Sequence, residues 1–276
     1  MNPSVITVLT TLITDPDDPR IAPFVGLRDH ELRKRREQPG GDMAGVFICE
    51  GDLVVERARR AGYQLTSVLI DAKRRVPLPF VVGEGTVIYT ATAPVLIRIT
   101  GYELHRGMLG CFVRRPEIDA ATVLEHARRV VVLEGVNNPT NLGIIARSAA
   151  ALGIDAMLLD PVCCDPLYRR SSRVAMGEVF KLPYARIGEL PDGLAILHDR
   201  GFELVALTPD VDAVPIDRLR LDATARVGLL FGAEGPGLTD DTLSQCDHRV
   251  RIPMQDGVDS LNIAAAAAIA IWCVSR

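Results

Sequence analysis

The fold is decided by residues 130–159, which read VVVLEGVNNPTNLGIIARSAAALGIDAMLL. Residues 130–133 form a continuous apolar run, which is typical of a strand buried on both faces of a parallel sheet. A helix is predicted over residues 141–152, because Gly153 stands at the usual glycine position after a helix end. A second apolar strand is predicted over residues 156–159. This strand–helix–strand unit is the building block of α/β proteins.

The alternation continues to the C-terminus. Further strands are predicted over residues 180–183, 203–207, 227–231 and 249–252. Further helices are predicted over residues 190–200, 239–245 and 261–274. Strands that alternate with helices in this way predict a mostly parallel sheet with helices on both faces.

The first half of the chain alternates in shorter segments. Helices are predicted over residues 29–37 and 52–61, and strands over residues 45–49, 67–70, 86–89 and 110–113. This pattern predicts a smaller α/β domain. We therefore expect an N-terminal domain over residues 1–118, a linker over residues 119–128 and a C-terminal domain over residues 129–276.

Composition places the protein among globular proteins. Of its 276 residues, 48% are hydrophobic and 24% are charged. No signal peptide is expected, and residues 263–274 are too short to span a bilayer. The six cysteines lack CxxC spacing; adjacent Cys163 and Cys164 are either a redox pair or, as we favour, small buried side chains in a reducing cytoplasm. We therefore predict a cytoplasmic protein without a membrane partner.

Charge is distributed unevenly along the chain. Residues 1–118 hold 16 basic and 14 acidic residues, a net of +2, and the remainder holds 15 and 21, a net of −6. The basic residues of the first part cluster at residues 33–36, 57–60 and 73–75. These clusters are either solvated helix faces or a surface that contacts RNA phosphates. The total of −4 argues against a protein that coats nucleic acid indiscriminately.

Three segments of the second half place polar side chains among glycines and aliphatic residues. They are residues 141–147 (NLGIIAR), 231–238 (FGAEGPGL) and 252–262 (IPMQDGVDSLN). Buried polar groups are costly unless they have partners. Each segment starts at or after a predicted strand end, where parallel α/β sheets bind ligands. The three segments therefore predict one site.

Each polar residue also has a purely structural interpretation. Arg147, the only charge in its helix, either pairs with an acid or solvent, or binds a ligand. The loop with Glu234 is a tight turn or a place where a ligand approaches bare backbone. Ser260 caps a helix or contacts a ligand, and Asn262, placed just inside that helix, has poor helix propensity. No Ser–His–Asp set or His/Cys metal cluster stands out.

In this order, the three segments resemble the SpoU/TrmH family of S-adenosylmethionine-dependent RNA 2′-O-ribose methyltransferases, part of the SPOUT superfamily. The resemblance covers residues 129–276 and rests on NPTNLGIIAR (138–147), GAEGPG (232–237), and IPM (252–254) with SLN (260–262). The first half is similar to the family's substrate-binding extension, a small ribosomal-protein-type fold, with FICEG at residues 47–51 and HRG at 105–107. The resemblance implies a C-terminal trefoil knot, a homodimer through the knotted domain, an RNA partner and no metal.

The resemblance also implies residue roles. Arg147 orients or deprotonates the ribose hydroxyl, and we favour orientation because arginine stays protonated. Asn141 supports Arg147, Glu234 organises the site, and Ser260 and Asn262 position substrate and cofactor. The implied cofactor contacts are Leu207, Thr208, Gly232, Ala233, Glu234, Gly235, Ile252, Pro253, Met254, Ser260, Leu261 and Asn262. The expected RNA contacts are Arg33, Lys34, Arg35, Arg36, His105, Arg106 and Arg173.

Ribosomal RNA is the expected substrate, because the N-terminal extension carries the basic clusters. A transfer-RNA methyltransferase and a non-catalytic RNA-binding assembly factor remain the alternatives. A nicotinamide or nucleotide enzyme is disfavoured, because GxGxxG and GxxxxGK[ST] are absent from the glycine-rich loop.

Overall fold

Each of two compact units of the chain has its own β-sheet. The computed structural model describes residues 10–275 except residues 29, 39, 84, 105 and 106, and gives His30 by its backbone alone. The N-terminal unit comprises the chain up to Pro116 together with Leu167–Gly177, and the C-terminal unit comprises Glu117–Pro166 and the chain from Glu178 onward. The expected RNA contacts His105 and Arg106 lie outside the described residues. Within the described residues, no helix is long and apolar enough to cross a membrane.

The N-terminal unit contains a five-stranded mixed sheet. Its elements are β1 (Thr10–Ile13), α1 (His30–Glu37), β2 (Val46–Glu50), α2 (Asp52–Arg60), β3 (Leu65–Asp71), β4 (Val87–Ala91), α3 (Ala93–Thr100) and β5 (Met108–Val113). The strand order is β1-β4-β3-β5-β2, in which β5 runs antiparallel to β3 and β2. Ile48, Leu69 and Leu109 from the sheet pack with Phe24 and Leu96 in one buried core.

The C-terminal unit contains a seven-stranded sheet. Its elements are α4 (Ala120–Leu124), β6 (Arg129–Leu133), α5 (Pro139–Ala151), β7 (Ala156–Leu159), β8 (Tyr184–Arg186), α7 (Ala195–His198), β9 (Phe202–Leu207), β10 (Val214–Pro215), β11 (Arg226–Phe231), α8 (Asp240–Ser244), β12 (His248–Arg251) and α9 (Ile263–Val274). Helix α6 (Arg169–Val174) belongs to the N-terminal unit. The strand order is β10-β12-β9-β11-β6-β7-β8, and all six neighbouring pairs are parallel. The prediction of a mostly parallel sheet is confirmed.

Strand β6 shows that both faces of this sheet are covered. Val130 and Val132 share a core with Leu124 of α4 and Leu197 of α7. Val131, which points to the opposite face because side chains alternate along a strand, is equally buried. Helices α5 and α9 pack against each other, and α9 contacts β11. The continuous apolar run of β6 therefore reflects burial on both sides, as predicted.

Two predicted elements differ from the structure. The strand expected over residues 180–183 is a 3-10 turn, Glu178–Phe180, and pairing begins only after Pro183, whose carbonyl accepts from the N–H of Met157 at 2.9 Å. Buried Phe180 and Leu182 gave this turn the composition of a strand. The helix expected over residues 190–200 is shorter, with a 3-10 turn, Asp192–Leu194, leading into α7.

Several elements have no counterpart in the sequence analysis. They are β1, α3, α6 and β10, together with α4, which lies within the residues expected to form a linker. Helix α3 (APVLIRIT) is rich in β-branched residues, which favour strands on average. In α4, Leu124 is fully buried in the core of the C-terminal unit, so residues 120–124 are part of that unit's packing.

Candidate functional site

The expected cofactor contacts lie at the carboxyl ends of three neighbouring strands. Strand β9 ends at Leu207, and the N–H of Thr208 donates to the carbonyl of Val250 in β12 at 2.9 Å. Strand β11 leads directly into Gly232, and β12 leads directly into Ile252. Because β9 lies between β11 and β12 and all are parallel, these ends form one continuous edge. Such an edge is where open α/β sheets bind ligands.

The glycine-rich loop, residues 232–238, folds back on itself at this edge. The N–H of Gly237 donates to the carbonyl of Ala233 at 2.9 Å. A Cβ on Gly232 would lie 2.0 Å from the carbonyl carbon of Gly237, so no side chain fits there. Gly235 has a φ of +96°, which L-residues with side chains rarely adopt. The loop is thus closed at its base, while Glu234 and Gly235 at its tip are exposed.

Hydrogen bonds connect one residue from each of the three polar segments. The amide Nδ2 of Asn141 donates to Oε2 of Glu234 at 2.9 Å. The amide Nδ2 of Asn262 donates to Oδ1 of Asn141 at 3.1 Å. Asn141 is 4% exposed, so this buried amide has partners on both its oxygen and its nitrogen. The predicted convergence of the three segments is present in the structure as this Glu234–Asn141–Asn262 chain.

Asn262 also determines where α9 begins. Its Oδ1 accepts from the N–H of Ala264 at 2.9 Å, and its backbone is extended, as an N-cap requires. The expectations that Ser260 caps this helix and that Asn262 lies inside it are therefore wrong. Ser260 and Leu261 are exposed before the cap. Because the Asn262 amide both caps α9 and reaches Asn141, helix position and site geometry are linked.

Arg147 lies on the solvent side of α5. Its side chain is exposed, and it makes no hydrogen bond or ion pair with any described residue. Of the interpretations left open for Arg147, pairing with an acid is therefore not seen among the described residues. Arg147 follows Asn141 by six residues, about 9 Å along the helix axis. It shares the exposed face of α5 with Ile144, three residues earlier. Its guanidinium is thus available to a ligand.

Two buried carboxylates at the same edge were not singled out from the sequence. Glu134 follows β6 and accepts from the N–H and hydroxyl of Thr239, both at 2.9 Å, and from the hydroxyl of Thr242 at 2.7 Å. Asp160 follows β7 and accepts from the N–H groups of Gly135 and Cys163, both at 2.7 Å. Burial and the neighbouring Asp160 carboxylate raise the pKa of the Cys163 thiol. The rule that selected the other segments, a polar residue directly after an apolar strand, also selects both acids.

The cluster at residues 33–36 is divided between structural and exposed side chains. Arg33 is 8% exposed, forms an ion pair with Glu37 and donates to the carbonyl of Pro23 at 3.1 Å; burial lowers its pKa. Arg36 pairs with Asp42 at 2.8 Å and donates to the carbonyl of Ala22. Lys34 and Arg35 are exposed. Arg33 and Arg36, both expected to contact RNA, thus have intramolecular partners.

Arg173 also has an ion-pair partner within the N-terminal unit. Its guanidinium donates to Oε1 of Glu50 at 2.9 Å, and its side chain remains 58% exposed. The other carboxylate oxygen of Glu50 is paired with Arg169 and accepts from the hydroxyl of Tyr102 at 3.0 Å. Glu50 belongs to the FICEG stretch, so that part of the motif binds α6 to this unit.

Metal ligands do not cluster in the part of the chain that the structure describes: it contains no group of three or more His, Cys, Asp or Glu side chains able to hold an ion. The side chains at the strand-end edge are instead amides, hydroxyls, aliphatic groups, the exposed Glu234, and the buried Glu134 and Asp160, whose carboxylates already accept hydrogen bonds from the protein. This set suits an organic ligand that is bound largely by backbone groups.

Known proteins share both the sequence and the fold. Residues 128–272 match the model of the SpoU rRNA Methylase family. The chain is 42% identical, over 94% of its length and 90% of the relative, to a Mycobacterium tuberculosis protein named as an uncharacterized tRNA/rRNA methyltransferase. It is 30% identical, over 70% of its length and 79% of the relative, to a 23S rRNA (guanosine-2′-O-)-methyltransferase of Acinetobacter baylyi.

A solved structure shows the same fold along nearly the whole chain. The S-adenosylmethionine-bound rRNA methyltransferase of Sinorhizobium meliloti superimposes with a TM-score of 0.76, covering 96% of this chain and 97% of that one at 24% identity. The matched family segment covers the seven-stranded sheet and all three polar segments. The chain belongs to the SpoU rRNA methylase family.

Proposed function

We propose that the protein transfers a methyl group from S-adenosylmethionine to a ribose 2′-hydroxyl of structured RNA, and that ribosomal RNA is its substrate. The observation that carries the proposal is the Glu234–Asn141–Asn262 chain at the strand-end edge of a SpoU-family domain. The Acinetobacter relative, whose name specifies 2′-O-methylation of 23S rRNA, supports the choice of hydroxyl and RNA.

The residues at the edge fit S-adenosylmethionine. The cofactor is a zwitterion with a flat purine, and it supplies an activated methyl group on a sulfonium when bound. Leu207, Ile252 and Met254 are partly exposed aliphatic side chains that suit the purine faces. The glycine loop suits the purine edge and the amino-acid end, because residues 232–235 present backbone with little side-chain cover. We assign Thr208, Ala233, Pro253, Ser260 and Leu261 to the same ligand on their position at this edge.

The chain's own residues are proposed to align the ribose hydroxyl with the methyl group. Methyl transfer to a hydroxyl needs the two reactants held in line, and the hydroxyl must lose its proton as the bond forms. Arg147 stays protonated, so we assign it to orienting the ribose and stabilising developing negative charge on its oxygen. Asn141, six residues earlier on α5, fixes the start of that helix relative to Glu234. The proton itself leaves to an RNA phosphate or to solvent.

We propose a trefoil knot and a homodimer, as the family resemblance implies. Ile144 on α5 and Ile269 and Trp272 on α9 are 36%, 38% and 47% exposed, although the two helices pack together. Large apolar side chains exposed on adjacent helices are typical of a surface that a second copy covers. Since Arg147 shares the face of Ile144, this arrangement places the partner beside the site.

The N-terminal unit, which comprises the chain up to Pro116 together with Leu167–Gly177, is proposed to bind RNA. Lys34 and Arg35 are the exposed members of the first basic cluster and are available for phosphates. Arg173 can contribute through the exposed part of its guanidinium. Arg33 and Arg36 are proposed to contribute less, because their guanidinium groups already have intramolecular partners.

The test combines cofactor binding with RNA analysis. Calorimetry of the full chain with S-adenosylmethionine is expected to show binding, which a non-catalytic assembly factor does not require. Nucleosides from ribosomal and transfer RNA of a deletion strain are then compared by mass spectrometry with those of the complemented strain. Loss of one 2′-O-methyl nucleoside from ribosomal RNA supports the proposal. Its loss from transfer RNA alone, or no loss at all, contradicts it.

A further inference from the structure

We propose that Glu134 is a positioning residue whose buried carboxylate holds the glycine-rich loop, residues 232–238, in its cofactor-binding conformation. The inference rests on the proposed function for the identity of the cofactor. Glu134 directly follows β6, and β6 pairs with β11, the strand that leads into the loop.

Glu134 is bonded to both ends of this loop. Its N–H donates to the carbonyl of Phe231, the residue before the loop, at 3.0 Å. Its carboxylate accepts from the N–H and hydroxyl of Thr239, the residue after the loop, both at 2.9 Å. One residue thus bonds to the residues on both sides of the loop.

The backbone that carries Glu134 is itself fixed. The N–H of the next residue, Gly135, donates to the Asp160 carboxylate at 2.7 Å. Gly135 has a φ of +66°, and a Cβ built on it would lie 3.3 Å from the Cβ of Ala233, inside the loop. Residue 134 is therefore bonded to the residues on both sides of the loop, and residue 135 lies close to Ala233 within it.

The chemistry of these contacts requires a group that accepts hydrogen bonds. The carboxylate faces one N–H and two hydroxyls, and an ionised carboxylate only accepts. Glu134 is 8% exposed and Thr242 is fully buried, so water does not readily replace a lost partner. Removing the carboxylate takes the acceptor away from the buried Thr242 hydroxyl and from both donors of exposed Thr239, so the residue that follows the loop is no longer bonded to residue 134.

Movement of the loop would reach the site directly. Glu234 at the loop tip accepts from Asn141, which in turn accepts from Asn262. If the binding-competent loop is populated for only a fraction of the time, cofactor affinity falls by that fraction. Glu134 therefore acts on the cofactor through the loop, without contacting it.

The experiment compares Glu134→Ala and Glu134→Gln with Asp119→Ala in the full chain. Asp119 caps α4 by accepting from the N–H of Thr122 at 2.9 Å, so its loss removes a cap carboxylate away from the loop. Calorimetric affinity for S-adenosylmethionine and the melting temperature are measured for each variant. Both Ala variants are expected to melt earlier, because each loses a carboxylate that accepts hydrogen bonds from the backbone and from a hydroxyl.

Only the affinity for S-adenosylmethionine distinguishes a residue that positions the loop from one that stabilises the fold in general. Glu134→Ala is expected to weaken S-adenosylmethionine binding by about tenfold or more, the effect of losing a charged hydrogen bond. Glu134→Gln, which keeps one acceptor and can donate to the hydroxyls, is expected to stay within about threefold of wild type. Asp119→Ala should bind like wild type.

Each outcome bears on a distinct claim. Wild-type-like affinity of Glu134→Ala overturns the inference while leaving the proposed function intact. Failure of the wild-type chain to bind S-adenosylmethionine overturns the proposed function instead. If Glu134→Ala does not fold, Thr242→Val decides: it removes one of the three donors with little change in shape, and an unchanged affinity contradicts the inference.

Discussion

Polar side chains have different kinds of partner in two regions of the molecule. One region is the strand-end edge of the C-terminal unit. The other is the arginine-rich surface of the N-terminal unit, which carries the clusters at residues 33–36, 57–60 and 73–75. At the edge, Asn141, Glu234 and Asn262 bind one another, and Arg147 has no partner among the described residues. In the N-terminal unit, Arg33 has an acidic partner nearby in the chain. Arg36 and Arg74 show the same pattern with Asp42 and Asp52. A run of arginines therefore mainly stabilises its own fold here, whereas the isolated arginine is free to act.

The largest effect expected from this difference concerns turnover. Arg147→Lys keeps the charge but loses the planar, two-pronged donor, so we expect methyl transfer to fall about 100-fold. Because Arg147 is exposed and unpaired among the described residues, stability should change by less than about 0.5 kcal/mol. Single-turnover assays on the RNA that the deletion-strain comparison identifies measure the rate.

A matched control comes from the opposite end of the sheet. Arg128 is exposed just before β6, at the amino ends of the strands, and among the described residues its guanidinium donates to the carbonyl of Ala223 alone. Arg128→Lys should retain wild-type turnover. Near-wild-type turnover of Arg147→Lys would instead show that a point charge is sufficient and that bidentate orientation is not what this residue supplies.

The second prediction concerns stability, where replacing a paired, buried arginine should have a larger effect than replacing an exposed one. Arg33→Ala removes the cation of a nearly buried ion pair and leaves Glu37 and the Pro23 carbonyl without it, so we expect a loss of about 3 kcal/mol in the free energy of unfolding. Arg35→Ala, two residues away on an exposed position, should cost less than about 0.5 kcal/mol. Urea denaturation followed by circular dichroism measures both.

RNA binding by the same two variants sharpens the contrast. Arg35→Ala should lower RNA affinity and reduce the dependence of log K on log salt by about one unit, as loss of one phosphate contact does. Folded Arg33→Ala should bind RNA with the wild-type salt dependence. If Arg33→Ala lowered the salt dependence instead, its buried position would not describe the RNA-bound protein.

The sequence predicts the C-terminal sheet well because β6 and β7 are apolar on both faces, a pattern that only parallel buried strands produce. It fails at residues 180–183, where Phe180 and Leu182 are buried in a turn, since burial alone does not distinguish a turn from a strand. For the site, position after a strand identified Glu234 and Asn141. That Arg33 is buried while Lys34 and Arg35 are exposed could not be read from four consecutive charges, because the packing against Pro23 depends on tertiary structure.

The smallest expected effect concerns Asn262, which both caps α9 and donates to Asn141 in the site. Asn262→Ala removes the cap on Ala264 and the bond to Asn141 together, and we expect a loss of about 1 kcal/mol in the free energy of unfolding. Asn262→Ser keeps a capping oxygen but is too short to reach Asn141. Its stability should therefore be close to that of the wild type, whereas its affinity for S-adenosylmethionine should be lower. Ser260→Ala, two residues before the cap, should leave stability within about 0.5 kcal/mol of wild type. Urea denaturation and calorimetry with S-adenosylmethionine distinguish the two roles. Equal loss of stability in Ser260→Ala would mean that the cap lies at residue 260, and that the polar edge, like the arginine-rich surface, serves mainly its own fold.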